Sequence, residues 1–127
     1  MMHLHAQRII YPNRLIQVQL EDCYKMSDVE IDQVWRQSFL KSVSTQGMLN
    51  PILVCTEDTL EKELYQIFRG PFEYTGHLWR VFTGNNRFHW ALDNNYTTID
   101  AYEITSCEDW HQLNRDTFLE AKQFEVA

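Results

Sequence analysis

Patterns typical of β-strands occur at four places along the chain. In residues 14–20, Gln17 and Gln19 alternate with Ile16 and Val18, which predicts a strand with one buried face. Three later stretches are rich in β-branched, aliphatic or aromatic residues, and we predict strands at 52–55, 79–83 and 97–104. Residues 21–26 carry no such pattern and are predicted to form a loop.

Apolar residues recur at steps of three and four between these strands, and this spacing predicts helices. The first helix begins at Asp28, because Ser27 and Glu30 form a capping box, and Gly47 is its C-cap. The second helix covers 59–68 and is amphipathic.

Two more helices follow. One begins beyond Asn85, a favourable N-cap because its side chain accepts a hydrogen bond from a free backbone N–H. Asn94 and Asn95 end it, since asparagine tolerates the left-handed conformation. The last helix covers 106–123 and is capped by Ser106.

This order of elements predicts an α+β fold, a small mixed β-sheet with flanking helices. The chain has 127 residues, 44% of them hydrophobic, which suits one globular domain with its own core. We therefore assign residues 1–127 to a single domain with a core at 14–104, a helical insertion at 59–76 and a C-terminal helix at 106–123.

The turn after the strand at 79–83 is the leading candidate for a binding site. Gly84 lets the backbone approach a ligand closely, and the free N–H groups and dipole of the following helix favour an anion. Arg87 lies in the first helical turn, where its guanidinium can pair with a phosphate oxygen. So short a pattern also occurs by chance, and the alternative is a tight turn beside a solvated arginine.

Hydroxyl side chains form a stripe along one side of the first predicted helix. Ser38, Ser42 and Thr45 are spaced by four and three residues, so they share one face. They either face an anion held at 84–87 or form a small polar surface stripe.

The charge of the chain argues against nucleic acid as a partner. It has 18 acidic and 11 basic residues and a formal net charge of -7, and the basic residues do not cluster. Such a surface repels the phosphate backbone, so we expect no sequence-specific DNA binding. No apolar run is long enough to span a membrane, and we predict no membrane association.

Cysteines and histidines form no metal motif. Cys23, Cys55 and Cys107 lie far apart without a C-x-x-C pair, which favours buried thiols in a reducing cytoplasm. His3 and His5 could bind a metal as a pair, but a short polar tract at this position is more typical of a frayed end. We therefore predict no metal site.

Two motifs in this order resemble the N-terminal domain shared by ParB and sulfiredoxin. In that family a helix ends in S-(I/V)-x-x-x-G-(L/M)-x-x-P-(I/L)-x-V, and a later strand ends in G-x-x-R. The first motif occurs here at 42–54 and the second at 84–87. The resemblance covers residues 14–104 and implies a ParB/sulfiredoxin-like fold.

In this family the G-x-x-R turn faces a nucleotide phosphate, and the preceding helix offers hydroxyl groups to it. The residues that the resemblance implies as contacts are Gly84, Asn85, Asn86 and Arg87 in the turn, with Ser38 and Ser42 in the helix. The implied ligand is a nucleoside triphosphate, ATP or CTP, with Mg²⁺.

Departures from the family pattern narrow the expected activity. Sulfiredoxin has its catalytic cysteine directly after the glycine, where this chain has Asn85, and an amide cannot act as a thiolate nucleophile. Sulfinic acid repair is therefore excluded. ParB has G-E-R-R in the turn, where this chain has Asn85 and Asn86 in place of Glu and Arg. ParB also continues into a helix-turn-helix domain, which we do not expect here. NTP hydrolysis, phosphoryl transfer and ParB-like nuclease activity stay open, although the only nearby carboxylates are Asp93 and Glu103.

We accordingly expect a stand-alone nucleotide-binding domain that holds phosphates at 84–87. The alternative is a non-catalytic protein-interaction module, of a phage or mobile-element type, that kept the fold without nucleotide chemistry. The insertion at 59–76 separates the two hypotheses, because its large side chains either close over a nucleotide as a lid or contact a partner protein. These side chains are Tyr65, Phe68, Phe72 and Tyr74.

Overall fold

A mixed β-sheet of six strands forms the centre of the structure. A computed structural model describes residues 2–24, 47–67 and 72–126. The strands are β1 (His3–Leu4), β2 (Leu15–Gln19), β3 (Cys23–Tyr24), β4 (Ile52–Cys55), β5 (Trp79–Thr83) and β6 (Thr98–Glu103). The α-helices of the described residues are α1 (Glu57–Lys62), α2 (Asn85–Asp93) and α3 (Cys107–Val126), with 3-10 turns at Pro12–Arg14 and Leu20–Asp22.

β6 is the most extensively paired strand, because three strands pair with it and both of its edges are occupied. β2 runs antiparallel to it across residues 98–102 and fills one edge. β1 and β4 run parallel to it at 98–99 and 101–103, so they follow one another along the other edge. β5 pairs antiparallel with β4 and parallel with β3, which lies at the edge of the sheet.

Each face of the sheet carries its own hydrophobic core, because successive strand side chains point to opposite faces. The core on the α2 face includes Ile52, Val54, Ile99 and Ala101 with Phe88 and Ala91. The core on the α1 and α3 face includes Leu53, Cys55, Tyr102 and Ile104 with Leu60, Leu64 and Leu113. β4 contributes to both cores and all four of its residues are 0% exposed, which explains why its sequence is apolar throughout.

The predicted α+β class and the four predicted strands are confirmed. The last helix is also confirmed, since Ser106 Oγ accepts a hydrogen bond from Asp109 N at 3.1 Å and Leu113 is buried. The helix predicted to begin at Asp28 lies outside the described residues. Gly47, its predicted C-cap, has the left-handed φ of +74° that this position requires.

Two short strands differ from the prediction. β1 lies where a frayed end was expected, and backbone bonds from Thr97 N to Met2 O at 2.8 Å and from Gln7 N to Met48 O at 2.8 Å hold this segment in place. β3 lies within the predicted loop at 21–26 and pairs with β5. Both strands have two residues, too few for a hydrophobic period to be visible, and their pairing depends on backbone groups.

α1 is shorter and begins earlier than the helix predicted at 59–68. Thr56 is its N-cap, because Thr56 Oγ1 accepts a hydrogen bond from Thr59 N at 3.2 Å. The helix ends at Lys62, and residues 63–67 form turns. The inward positions Leu60 and Leu64 are buried as predicted.

The environment of the cysteines agrees in part with the prediction. Cys23 and Cys55 are buried, and burial raises the pKa of both thiols to about 12, which makes them unreactive at neutral pH. Cys107 is partly exposed. In the part of the chain that the structure describes, no helix has the length and apolar character needed to cross a membrane.

Candidate functional site

Gly84 joins β5 to α2 with a backbone conformation that favours glycine. Its φ is +104°, and its carbonyl oxygen accepts a hydrogen bond from Phe88 N at 2.9 Å. A Cβ at this position would lie 2.8 Å from both Arg87 Nη2 and Ile52 Cγ2. The predicted break in the strand is confirmed, but the N-cap is Gly84 and not Asn85, because Asn85 already has helical geometry as the first residue of α2.

Arg87 points back beneath the turn. Its Nη1 donates hydrogen bonds to the carbonyl oxygens of Asn50 at 2.7 Å and Pro51 at 2.9 Å. Burial lowers the pKa of its guanidinium to about 10, so the group stays protonated at neutral pH. Within the described residues no carboxylate pairs with it. Arg87 is therefore not the solvated charge of the alternative interpretation, because its Nη1 is bound by main-chain carbonyls. Pairing of its guanidinium with a phosphate stays a prediction.

Two amide side chains beside the turn keep unused acceptors. Oδ1 of Asn86 and Oδ1 of Asn50 are buried and accept no hydrogen bond from any described residue. Buried polar atoms in folded proteins are normally hydrogen-bonded to protein, water or a ligand. The surroundings of the turn thus contain two buried acceptor oxygens that the described residues leave without a donor.

The first turn of α2 carries no acidic side chain. Helix N-termini commonly carry Asp or Glu, because a negative charge there interacts favourably with the helix dipole and with the free N–H groups. Here the positive end of the dipole is reinforced by the protonated Arg87 beneath it. α3 packs beside the turn, since Trp110 Nε1 donates a hydrogen bond to Thr83 Oγ1 at 3.2 Å. The combined electrostatics favour an anion at residues 84–87.

The predicted helix contacts Ser38 and Ser42, and Thr45 beside them, lie outside the described residues. The site is therefore defined here by the turn, by Arg87 beneath it and by Asn50 and Pro51. Asn50 is a contact that the sequence analysis missed, although it lies inside the first family motif directly before the proline.

The described part of the insertion at 59–76 lies at the opposite end of β5 from the turn. α1 follows the last residue of β4, and residues 72–78 lead into the first residue of β5, whereas Gly84 follows its last residue. The five residues of β5 separate these ends by roughly 14 Å at about 3.4 Å per residue. In this position the described part of the insertion does not cover the turn, contrary to the lid hypothesis.

A buried ion pair fixes this other end of the sheet. Glu57 Oε2 lies 2.9 Å from Arg80 Nη2 and accepts a hydrogen bond from Thr75 N at 2.9 Å. Burial raises the pKa of the Glu57 carboxyl, but the hydrogen bonds from the Thr75 amide and from Arg80 outweigh this effect, and the pKa lies below its usual value. Arg80 Nη2 also donates to the carbonyl oxygen of Glu73 at 2.7 Å, so residues 73–75 are held against α1 and β5.

Asp93 and Glu103 do not form a carboxylate cluster at the turn. Asp93 is the last residue of α2, the end remote from the turn, and Glu103 is the last residue of β6. Among the described residues, the one group of three potential metal ligands that lie together is His3, His5 and Asp100. The two histidines were expected at a frayed end, and no role was predicted for Asp100. An available signal was an aspartate in the middle of an apolar strand, a position where this residue is rare.

Comparisons with known proteins give a distant structural similarity. No protein-family model matches the sequence, and no curated protein matches it either. Among solved structures, sulfiredoxin from Arabidopsis thaliana is similar to this chain, with a TM-score of 0.44 and 17% sequence identity over 72% of this chain and 85% of that chain. A likeness of this size says nothing about activity or ligands.

Proposed function

We propose that this chain binds a nucleotide through its phosphate groups at the N-terminus of α2. The ligand class is a nucleoside triphosphate such as ATP or CTP, bound together with Mg²⁺. The observation that supports this proposal most directly is the protonated guanidinium of Arg87, which lies beneath the first turn of α2 and has no carboxylate partner among the described residues. Its charge adds to the positive end of the helix dipole.

Further features of the turn support the proposal of phosphate binding. Gly84 has no side chain above the backbone, and the first N–H groups of α2 have no intrahelical acceptors. Asn85 and Asn86 are partly exposed and offer amide donors beside those N–H groups. No acidic residue of the first turn competes with the phosphate for them.

The proposal concerns binding and not catalysis. At the turn, Asn85 and Asn86 provide amides, which act neither as nucleophiles nor as general bases. Arg87 is engaged by main-chain carbonyls and acts through its charge. The function that the residues of the turn support is to hold and orient a polyphosphate.

The experiment is a calorimetric titration of the wild-type chain and one charge variant with ATP, CTP, GTP and inorganic triphosphate, with and without Mg²⁺. Asn86→Asp places a negative charge in the first turn of α2, which suits the helix dipole but repels a phosphate. Gln17→Glu makes the same change of charge at an exposed position of β2 and is the matched control.

We expect at least one of these ligands to bind the wild type and the Gln17→Glu variant alike. Asn86→Asp is expected to weaken that binding by at least tenfold, equivalent to about 1.4 kcal/mol. Equal affinity of the Asn86→Asp variant, or absence of binding by all four ligands, would refute a phosphate site at this turn.

A second candidate function, protein interaction, is favoured by exposed large side chains at the other end of β5. Tyr65 is 61% exposed, Tyr74 57% and Leu78 56%. Tyr24, on the edge strand β3, adds an exposed ring that lies 5.7 Å from the ring of His77. Exposed aromatic residues on and near the edge strand of a sheet are typical of contact surfaces between proteins.

The two candidates are separable because their residues lie at opposite ends of β5. A double variant, Tyr65→Ser with Leu78→Ser, leaves the turn at 84–87 unchanged. If the exposed side chains bind a partner, this variant loses capture of proteins that the immobilised wild type retains, while its nucleotide affinity stays the same. Unchanged capture by the double variant would remove the support for this second function.

A further inference from the structure

The segment that contains β1 brings two histidines to a buried aspartate of β6. His3 and His5 flank Leu4, which is buried in the core of the α2 face. Side chains two residues apart in extended chain point to the same side, so both imidazoles lie on the side opposite to Leu4. His3 Nε2 lies 2.6 Å from Asp100 Oδ1, and His5 Nδ1 lies 3.9 Å from Asp100 Oδ2.

Asp100 is a carboxylate in an unusual place. It is 3% exposed, and its neighbours Ile99 and Ala101 in β6 are fully buried. Buried carboxylates are normally paired with a cation or coordinate a metal ion. Among the described residues no lysine or arginine pairs with Asp100. Its partners are the two histidines and the amide of Ala6, which donates to Oδ2 at 2.8 Å.

We propose that His3, His5 and Asp100 form a binding site for a divalent transition-metal ion such as Zn²⁺. Their donor atoms all lie within 4.8 Å of one another. Two imidazole nitrogens and one carboxylate oxygen are a common ligand set for this class of ion, and Mg²⁺, which prefers oxygen ligands, is a poor match.

The distances fit a site that opens slightly when the ion enters. Donor atoms around a tetrahedral Zn²⁺ ion lie roughly 3.4 Å apart, given metal–ligand bonds of about 2.0–2.1 Å. The 2.6 Å between His3 Nε2 and Asp100 Oδ1 is a hydrogen bond, so these atoms must separate by roughly 0.8 Å. His5 is free to adjust, because its side chain is 73% exposed. That exposure also leaves the fourth coordination position to water.

Hydrogen bonds around the three ligands orient them for metal binding. His3 Nδ1 lies 2.6 Å from Thr98 Oγ1, which can accept a hydrogen bond from an N–H at that nitrogen and leave Nε2 for the ion. The Ala6 amide holds Asp100 Oδ2 and leaves Oδ1 for the ion. An ion bound to Nε2 takes the place of the proton at that nitrogen. A neutral His3 then carries its proton on Nδ1, and a charged His3 releases the Nε2 proton to solvent.

The metal site is independent of the proposed nucleotide site. Asp100 alternates with Ile99 and Ala101, which pack on the α2 face, so its carboxylate lies on the opposite face of the sheet. The turn at 84–87 belongs to the α2 face. Success or failure of either proposal therefore leaves the other unaffected.

The test is calorimetric titration of chelator-treated chain, prepared without a polyhistidine tag, with Zn²⁺ in the presence of about 5 mM Mg²⁺. Absorption spectroscopy with Co²⁺ supplies a second readout, since its visible bands report the ligand geometry. The decisive variant is His5→Ala, because His5 is exposed and contributes little to packing. His111→Ala removes an exposed histidine of α3 and is the matched control.

We expect the wild type to bind one Zn²⁺ ion per chain. The affinity for Zn²⁺ should be at least tenfold weaker in His5→Ala and unchanged in His111→Ala. The melting temperature of the wild type should rise when Zn²⁺ is added. Asp100→Asn is also expected to lose binding, although this variant removes buried hydrogen bonds as well. Absence of saturable binding, or binding that His5→Ala does not weaken, would overturn the proposal. The His3–Asp100 pair would then be a structural contact of β1 only.

Discussion

Arg80 lies near the start of β5 and Arg87 lies just beyond its end, and their charges are satisfied in different ways. Arg80 meets a carboxylate, with its Nη2 2.9 Å from Glu57 Oε2. Arg87 meets two main-chain carbonyls, with its Nη1 2.7 Å from Asn50 O and 2.9 Å from Pro51 O. Both guanidinium groups are largely withdrawn from solvent.

The difference lies in what remains of the positive charge. The carboxylate of Glu57 cancels the charge of Arg80, so this pair acts as a neutral link between α1, β5 and the segment at 73–75. Carbonyl oxygens satisfy the N–H groups of Arg87 but leave its net charge. That charge lies beneath a helix N-terminus of the same sign, which is an unfavourable arrangement for a purely structural residue and a favourable one for a site that receives an anion.

The two arginines thus differ in their surroundings. Arg80 holds a segment in place through its ion pair, and Arg87 keeps a net positive charge that the proposed phosphate site would use. Variants that remove one partner at a time test whether this distinction is correct.

The largest effect is expected for Glu57→Ala. The change leaves the guanidinium of Arg80 buried without its carboxylate and frees the Thr75 amide, so the free energy of unfolding should fall by about 4 kcal/mol. Urea unfolding followed by circular dichroism measures it. Glu63→Ala, at an exposed position just after α1, is the control and should change stability by less than about 0.5 kcal/mol. A loss no larger than that of the control would mean that Arg80 is compensated by another group.

Arg87→Ala is expected to have the next largest effect. It removes two charge-assisted hydrogen bonds and leaves the carbonyls of Asn50 and Pro51 without these donors, for a loss of about 3 kcal/mol in unfolding free energy. Arg115→Ala, at an exposed position of α3, should lose little.

Arg87→Lys separates the charge of this residue from its hydrogen bonds. Lysine keeps the positive charge but not the geometry of the guanidinium, so this variant should be destabilised while keeping more triphosphate affinity than Arg87→Ala. Equal affinities of the two variants, both measured as folded protein, would show that the charge beneath the turn does not act on the ligand.

The four longer strands and the turn could be predicted from sequence because each carries its own local signal. β4 is uniformly apolar, β2 alternates, and Gly84 interrupts a strand directly before a helical period. These signals depend on residues within one element. They specify which element forms and leave open which groups meet in space.

What sequence could not provide was the direction of individual polar side chains. Arg87 was correctly placed in the first turn of the helix, yet its guanidinium bonds to carbonyls 36 and 37 residues earlier in the chain. Asp100 meets His3 across 97 residues. Such contacts arise from the pairing of β4 with β5 and of β1 with β6, and no local sequence pattern reports them. The position of the insertion at the far end of β5 likewise follows from strand direction and not from its own composition.

Gly84→Ala is expected to have a moderate effect, and it probes the contact between the turn and Arg87. Alanine at a φ of +104° is strained, and its Cβ would also lie 2.8 Å from Arg87 Nη2 and from Ile52 Cγ2. We expect a loss of about 2 kcal/mol in unfolding free energy. Gly76→Ala is the control, since its φ is +82° and no atom lies within 4 Å of the added Cβ, so strain alone acts there, at about 1 kcal/mol. Equal losses of unfolding free energy at both glycines would show that Arg87 and Ile52 shift to accommodate the methyl group without a further loss of stability.

The smallest effect is a difference in acid sensitivity between the two ends of β5. The folded pKa of Glu57 lies below its ordinary value of 4.5, so the unfolded chain binds more protons than the folded chain in the window below that value. The stabilisation from Glu57 is therefore fully present above about pH 4.5 and is lost as the pH falls through the folded pKa.

Unfolding free energies of wild type and Glu57→Gln, measured between pH 7 and pH 3, should converge as the pH falls. The gap between wild type and Arg87→Ala should stay constant over the same range, because Arg87 remains protonated throughout and its partners are carbonyls that do not titrate. A gap for Glu57→Gln that is equally wide at both pH values would mean that the carboxylate contributes by packing and not by charge, and the contrast between Arg80 and Arg87 would lose its electrostatic basis.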